Sequence, residues 1–482
     1  MERIAGWVDD AFDDSDFGDQ RRRARVLQTV TTLSQNGEAS VAEASEDWAE
    51  SLAIYRLWSN DALSHEELVR SIGGATGRRC QAESPLVVVQ DTTAIIPTAP
   101  RRCQDRGAIG TEDELGFLQH TSLVLNEAGM PLGIGDIQMW SREPQVQGSR
   151  HRRAETPIDG KESRVWLDGA KRTWRHLPPE TPAITVADRA ADIFELYALH
   201  AQAQGDYVVR LGQNRRTEDG KLWDVLAQAP VRGEQTVAVP RADDRAPRVA
   251  TVTLRSCSVR ILPTERRPVT HAAIDRWYQL HADVVPLLSR PLGPVSVNVI
   301  DIREENPPAG QKPLHWRLAT SLPVETLADA SRCMRLYRLR WQVERFHYVL
   351  KQGCRIEARQ LERVARLMRA SILYSLIAWR LLWLTQHVRE QPHASCATVV
   401  PLVVWQAVVA MVERRAPHPE DQPPDLATFL ALVGRLGGHL GRTNDGPPGV
   451  KTLWRGLRRL YDLAEFWELL EGGLPSVRSP SV

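Results

Sequence analysis

Hydrophobic positions along the chain change their period several times, and each change marks an element. Val26, Val30 and Leu33 recur at helical spacing with Arg21, Arg22 and Arg25 around them, and Trp48, Leu52 and Tyr55 repeat the pattern after Ser45, so residues 1–70 are expected to be helical. The period then shortens. Leu86-Val87-Val88-Val89, running into Gln90-Asp91, is the continuous β-branched run of a buried strand. Phe117–Leu125 and Leu132–Trp140 flank Asn126-Glu127-Ala128-Gly129, which predicts a hairpin. A helix over 161–176, a strand over Ala183–Asp188, a helix over Ile193–Ala203 and a strand over Tyr207–Leu211 follow. From 212 to 322 glycine and proline punctuate short alternating runs at Val237–Val239, Val249–Leu254, Val295–Ile302 and Trp316–Thr320, which predicts an all-β stretch. From 325 the pattern is helical to the end, apart from a loop at 389–397 and a Pro-rich linker at 416–424. The most apolar stretch, Ile372–Leu384, is short and interrupted by Arg380; it reads as a buried helix, and no membrane partner is expected.

The order βββαβαβ between 85 and 211 is that of an RNase H-like core. The expected architecture is therefore a multidomain α+β and α/β chain. A helical segment (1–70) precedes a core (71–370) that carries an inserted all-β subdomain (212–322), and a helical C-terminal segment (371–482) follows. Two of the core strands end in an aspartate, Asp91 and Asp188. Carboxylates at the ends of neighbouring strands converge at one sheet edge, and a helix beside that edge can add a third. Hard oxygen donors with water in the remaining positions suit Mg²⁺ or Mn²⁺. Two such ions ~3.5–4 Å apart can stabilise both the attacking and the leaving oxygen of a phosphodiester.

Glu344 supplies the third acid from a helix expected over 327–352. Tyr337, Arg340, Glu344 and Lys351 follow at steps of 3, 4 and 7 and fall within roughly 60° of one another on an ideal helix. Leu336, Leu339, Val343, Phe346 and Leu350 form a separate apolar stripe facing the core. An ordinary amphipathic helix with an i,i+4 ion pair accounts for Arg340 and Glu344. It does not account for Tyr337, Trp341 and a lysine on the same side, in a chain with six lysines among 61 basic residues. Each aspartate also has a plain alternative: Asp91 as a turn or cap residue before Thr92-Thr93, and Asp188 as the partner of Arg189.

Composition narrows this little. The net charge of +1 gives no argument for nucleic acid, but its distribution does: an acidic stretch over 1–19 gives way to Arg21, Arg22, Arg23 and Arg25, and arginines recur from 332 to 369. Such stripes can follow a phosphate backbone, or can be solvated helix faces. The six cysteines form no CxxC pair, as expected of scattered thiols in a reducing cytosol, and the acidic N-terminus lacks the apolar core of a signal peptide.

The spacing Tyr-x2-Arg-x3-Glu-x6-Lys, here Tyr337, Arg340, Glu344 and Lys351, resembles the signature of the IS-four family of bacterial insertion-sequence transposases. QDTTAI around Asp91, ADRAADIFEL around Asp188, YVVRLG around Arg210, WRLATS around Trp316, GDQRRRARVLQTV near the start and LGGHLGRTNDGPPGVKTLWRGLRRL near the end are similar to the same family, so the resemblance spans nearly the whole chain. It implies a DDE transposase that cuts and pastes DNA in the bacterial cytoplasm. Asp91, Asp188 and Glu344 would hold two Mg²⁺ (or Mn²⁺) ions. Tyr337, Arg340 and Lys351 would position phosphates near the transposon end. Trp316 would stack on a flipped base with Trp341 beside it, and Arg210 would join the DNA contacts. Residues 1–70, with Arg21, Arg22 and Arg25, would read the terminal inverted repeat, and the C-terminal helices would pair two subunits in a synaptic complex that also takes target DNA. The 156 residues from Asp188 to Glu344 leave room for a β insertion between them. The chain departs from the family at Ala190, where Asp-Arg-Glu is common. A structure-specific nuclease on the same core, or a non-catalytic inhibitor, would share part of this pattern without the joining step.

Overall fold

The computed structural model describes residues 6–471, apart from 16, 36–38, 99–102, 111–113, 143–154, 240–246, 264–267, 282, 290–291, 416–417, 419 and 443–447. Parts of the expected Pro-rich linker and of the C-terminal tail string therefore lie outside the described residues. In chain order the elements are α1 (Gly6–Ala11), α2 (Gln20–Gln35), α3 (Val41–Ala44), α4 (Trp48–Ser59), α5 (His65–Arg79), β1 (Leu86–Ile95), β2 (Gly107–Ala108), β3 (Leu115–Asn126), β4 (Pro131–Trp140), α6 (Arg164–Trp174), β5 (Ala183–Ala187), α7 (Phe194–Ala203) and β6 (Asp206–Arg210). They continue with β7 (Arg216–Thr217), β8 (Gly220–Lys221), α8 (Leu222–Ala227), β9 (Val231–Val239), β10 (Arg248–Ile261), α9 (Pro268–Leu280), β11 (Val295–Glu304), β12 (His315–Thr320), α10 (Leu327–Arg338), α11 (Trp341–Tyr348), α12 (Val364–Glu390), α13 (Leu402–Glu413), α14 (Leu426–Leu436) and α15 (Val450–Glu471).

The chain forms two compact units, one from residues 1–75, 94–117 and 345–482, the other from 76–93 and 118–344. The first is helical at its centre. Its 27-residue α12 is long and apolar enough to cross a membrane, yet 83% of its most apolar window is buried within the protein. It packs on α2 and α4. Arg369 on α12 binds the carbonyls of Trp58 and Leu63 at 2.9 and 3.1 Å and Asp61 at 2.8 Å. A permanently charged guanidinium there satisfies the Trp58 carbonyl in the last turn of α4 and the Leu63 carbonyl in the connection that follows.

The second unit is built on a mixed sheet. Its strand order is β3-β1-β5-β6-β12-β11-β10-β7-β8, with β4 on β3 and β9 on β10, while β2 pairs with the start of β3 within the first unit. Strands β1, β5 and β6 run parallel; β12, β11, β10 and β9 continue antiparallel from β6. The parallel strands are linked by helices, which cover the sheet faces, and their central residues are buried: Leu86–Gln90, Ile184–Ala187 and Tyr207–Val209. Trp166, Leu167, Tyr197, Tyr207, Val209, Leu226 and Val299 belong to one core cluster on this sheet.

The order βββαβαβ expected from the sequence is present, with the two-residue β2 added. Two expectations are corrected. The stretch 212–322 is not all-β, because α8 and α9 lie within it, and its strands extend the central sheet through the pairing of β12 with β6. The single helix expected over 327–352 is broken: α10 ends at Arg338, Leu339 and Arg340 form a turn, α11 follows, and Val349–Gly353 winds as a π-helix. The apolar stripe runs through the break without losing its period, so periodicity alone could not reveal it.

Candidate active site

The register of the parallel strands sets the site. Gln90 pairs with Ala187 in the last pair between β1 and β5, and Ala187 pairs with Val209 on β6. The next residues along the three strands are Asp91, Asp188 and Arg210, so two acids and a basic residue occupy one row. Asp188 follows the end of β5 as expected, but Asp91 does not end its strand, because β1 runs on to Ile95 and only its pairing with β5 stops at Gln90. Neighbouring strands lie about 4.8 Å apart, which brings the two carboxylates within strong electrostatic reach.

Each carboxylate is held locally. The Thr92 N–H donates to Asp91 Oδ1 at 2.8 Å. The Ala190 N–H donates to Asp188 Oδ1, also at 2.8 Å, making Asp188 the cap of the short 3-10 turn Arg189–Ala191. That bond needs only the backbone at 190, so alanine serves it as well as glutamate would. Arg340, in the turn between α10 and α11, reaches two acids. Its Nη1 lies 3.8 Å from Asp91 Oδ2 and its Nη2 lies 2.5 Å from Glu344 Oε1. The break in the helix therefore carries the arginine, and the first turn of α11 carries Glu344.

Burial pushes the Asp91 carboxyl up to about 6; the charges of Asp188 and Glu344 push the same way, while the Thr92 N–H and Arg340 oppose them. The three acids thus form a cluster whose mutual repulsion Arg340 offsets only in part. Among the described residues, no three His, Cys, Asp or Glu side chains converge on one point as they stand. The donor set nevertheless fits a hard divalent cation: half-buried carboxylate oxygens with an excess of negative charge.

Around the acids, Tyr337 is buried, its ring edge-on to Trp316 at 5.7 Å and the Arg340 guanidinium 6.0 Å from its centre. Trp341 is 60% exposed, an uncommon state for an indole. Lys351 belongs to the other unit, where its Nζ stands 3.5 Å from Glu357. On α2, Arg21 is exposed, Arg22 donates to the Phe17 carbonyl, and Arg25 Nη1 bonds Gln28 Oε1 at 3.0 Å.

Sequence reasoning missed Asp192. This buried acid accepts from Gly212 N and Gln213 N at 2.8 and 2.9 Å, from Tyr197 Oη at 2.8 Å and from Arg215 Nε at 2.8 Å. It pins the loop that leaves β6 just after Arg210. Its only sequence signal is a second aspartate four residues after Asp188.

Two carboxylates from neighbouring strands and a third from a helix, with a guanidinium reaching two of them, are the kind of donor set that metal-dependent chemistry on phosphodiesters uses. Comparison with protein families agrees in chain order. A family model for transposase DNA-binding matches residues 4–63, one for the transposase DDE domain matches 159–381, and one for the transposase Tn5 dimerisation domain matches 376–469. The second match takes in Asp188 and Glu344; Asp91 precedes it and joins the acids through the strand register. The chain is a DDE transposase, a metal-dependent enzyme that cleaves DNA and transfers strands on an RNase H-like core. It belongs to the Tn5-like transposases of the IS4 family, with a DNA-binding segment, a catalytic domain and a dimerisation segment.

Proposed function

We propose that this transposase moves its element by cut-and-paste, using Asp91, Asp188 and Glu344 as the catalytic carboxylates. The observation that carries this reading is the row formed by Asp91 and Asp188 on neighbouring strands, with Arg340 reaching both Asp91 and Glu344. Two Mg²⁺ ions, replaceable by Mn²⁺, would be held by the three acids and would supply Lewis-acid activation of the attacking and leaving oxygens. The chain's own residues do the rest. Arg340 exchanges its carboxylate partners for a phosphate of the transposon end, Lys351 and Arg210 grip phosphates further along, and the Tyr337 hydroxyl bonds one more. Trp316, with Trp341 beside it, stacks on a base turned out of the duplex, offsetting the few kcal/mol that unstacking costs. Hydrolytic nicking frees a 3′ hydroxyl, which attacks the opposite strand to form a hairpin. The hairpin is reopened, and the same 3′ hydroxyl then joins target DNA.

On this reading residues 1–70 bind the terminal inverted repeat, with Arg21, Arg22 and Arg25 on the DNA side. Residues 71–370 are catalytic, with 212–322 as the family's β-rich insertion, and residues 371–482 pair two copies of the chain in a synaptic complex. The DNA substrate puts this work in the bacterial cytoplasm, on chromosomal or plasmid DNA.

The test is cleavage of a labelled duplex carrying the element's own terminal repeat, with Mg²⁺, by wild type and Glu344→Ala. Nicks and hairpins at the repeat boundary should fall at least about a thousandfold in the variant, with end binding retained. Boundary cleavage that survives the substitution removes Glu344 from the catalytic set. Tyr337→Phe should fold normally and nick, but form less hairpin; equal hairpin yield would refute its phosphate contact.

A further inference from the structure

Asp91 sits where β1 outruns its neighbour. The last β1–β5 pair is Gln90 with Ala187, whereas β1 continues to Ile95. From Asp91 onward the strand lacks its ladder on that side, at the residue whose direction matters most. Side chains alternate along a strand, so Gln90 and Thr92 project from the face opposite Asp91.

One imidazole grips both of them. His120 on β3 places Nδ1 2.8 Å from Thr92 Oγ1 and Nε2 3.1 Å from the Gln90 side-chain amide. In the amide orientation that satisfies every partner, Gln90 donates to His120 Nε2 at 3.1 Å and to the Trp166 carbonyl at 3.2 Å, and accepts from Ala170 N at 3.1 Å. Gln90 and His120 are completely buried. Burial pushes the imidazole down to about 3, so it is neutral. With Nε2 accepting from Gln90, the remaining proton is on Nδ1 and donates to Thr92. Trp166 packs edge-on against the ring at 4.6 Å. Helix α6 closes over the group at Gly169, where an added Cβ would stand 3.0 Å from Ser122 Oγ and 3.3 Å from His120 Nε2. The chain of contacts then returns to the site, because Thr92 supplies the N–H that orients Asp91 Oδ1.

We propose that His120 is a positioning residue for DNA cleavage: from the far face of the sheet it clamps both neighbours of Asp91, through Thr92 and Gln90, and so fixes the direction of the Asp91 carboxylate. This rests on the reading of Asp91 as a catalytic carboxylate. Outer partners of catalytic ligands are worth about ten- to a hundredfold in activity or metal affinity, and a misplacement of about 1 Å can cost a hundredfold in rate.

The experiment is single-turnover cleavage of the terminal-repeat duplex at saturating enzyme, over a range of Mg²⁺ concentrations, with end-binding affinity and melting temperature measured in parallel. Thr92→Val keeps the shape and removes the hydroxyl that His120 bonds. The expected result is a rate about ten- to a hundredfold lower, a higher Mg²⁺ requirement, unchanged end binding, and recovery in Thr92→Ser. His120→Asn, which keeps a donor near the Nδ1 position, should lose less than His120→Leu. If Thr92→Val does not fold, the Thr92→Ser and His120→Asn rates decide: both well above an impaired His120→Leu supports the clamp, and rates equal to that of His120→Leu overturn it. A folded Thr92→Val that cleaves like wild type, or one whose loss Thr92→Ser does not restore, also overturns it. Asp91→Asn separates the two claims. If it cleaves normally, the assignment of Asp91 fails; if it is inactive while Thr92→Val is fully active, only the clamp fails.

Discussion

Strands β4, β3, β1, β5 and β6 are buried for most of their length, whereas β9, β10 and β11 turn alternate residues to solvent. The two halves of one sheet therefore treat charge differently. In the open half acids are paired. Asp301 on β11 meets His315 at 2.7 Å and Arg317 at 3.3 Å on β12, and Glu304 pairs with Arg248. In the covered half a carboxylate is costly. Asp188 avoids much of that cost by standing just past the end of β5, and Asp91 stands where the burial of β1 begins to loosen, though burial still pushes its carboxyl up. On the proposed reading, chemistry gathers at that row because there a largely covered scaffold can present charge.

Three measurements probe this contrast. The largest effect is expected at Asp136 on β4, which is 2% exposed and whose Oδ2 makes no hydrogen bond among the described residues. Burial pushes its carboxyl up to about 7, against the pull of Arg172. The folded-state value lies above the unfolded value of about 3.9, so ionisation opposes folding. The penalty is absent below pH ~4, grows between ~4 and ~7, and is constant above. Asp136→Asn should therefore stabilise the protein at pH 8 by as much as about 4 kcal/mol, with the gain vanishing towards pH 4. Calorimetry that finds the same gain at both pH values would break the argument.

Next comes truncation. Ile184→Ala, on β5 at 1% exposure, should cost about 3 kcal/mol in denaturant unfolding, whereas Val249→Ala, on β10 at 70% exposure, should stay within about 0.5 kcal/mol. Similar costs at the two sites would mean that the open face is covered in solution. The smallest effect belongs to Asp301→Asn, at about 1 kcal/mol or less, shrinking as salt is added. A loss of several kcal/mol there would show that this pair is as sheltered as the acids of the covered half.

The same contrast explains what could be read from the sequence. Val87-Val88-Val89 and Ile184-Thr185-Val186 announce themselves because strands covered on both faces need unbroken apolar runs. Their terminal aspartates stood out as charges closing such runs. In 212–322 the runs are short and alternate, so α8 and α9 between them went unseen, as did the way β12 joins β6. Glu344 was legible from its spacing to Tyr337 and Arg340, but the turn at Leu339-Arg340 was not, because Leu336, Leu339 and Val343 keep the helical period across it. His120 and Asp192 gave no usable signal, because what distinguishes them is the set of partners that folding brings to them.

Arg340 has one more consequence. A guanidinium keeps its proton at every pH a cell reaches. The acids it touches therefore have a counter-ion written into the chain, present from the moment of folding and independent of metal supply. If the acids hold metal as proposed, its entry would be an exchange of cations, with Arg340 giving up its carboxylate partners. An apoenzyme built this way should tolerate chelator with little change in melting temperature.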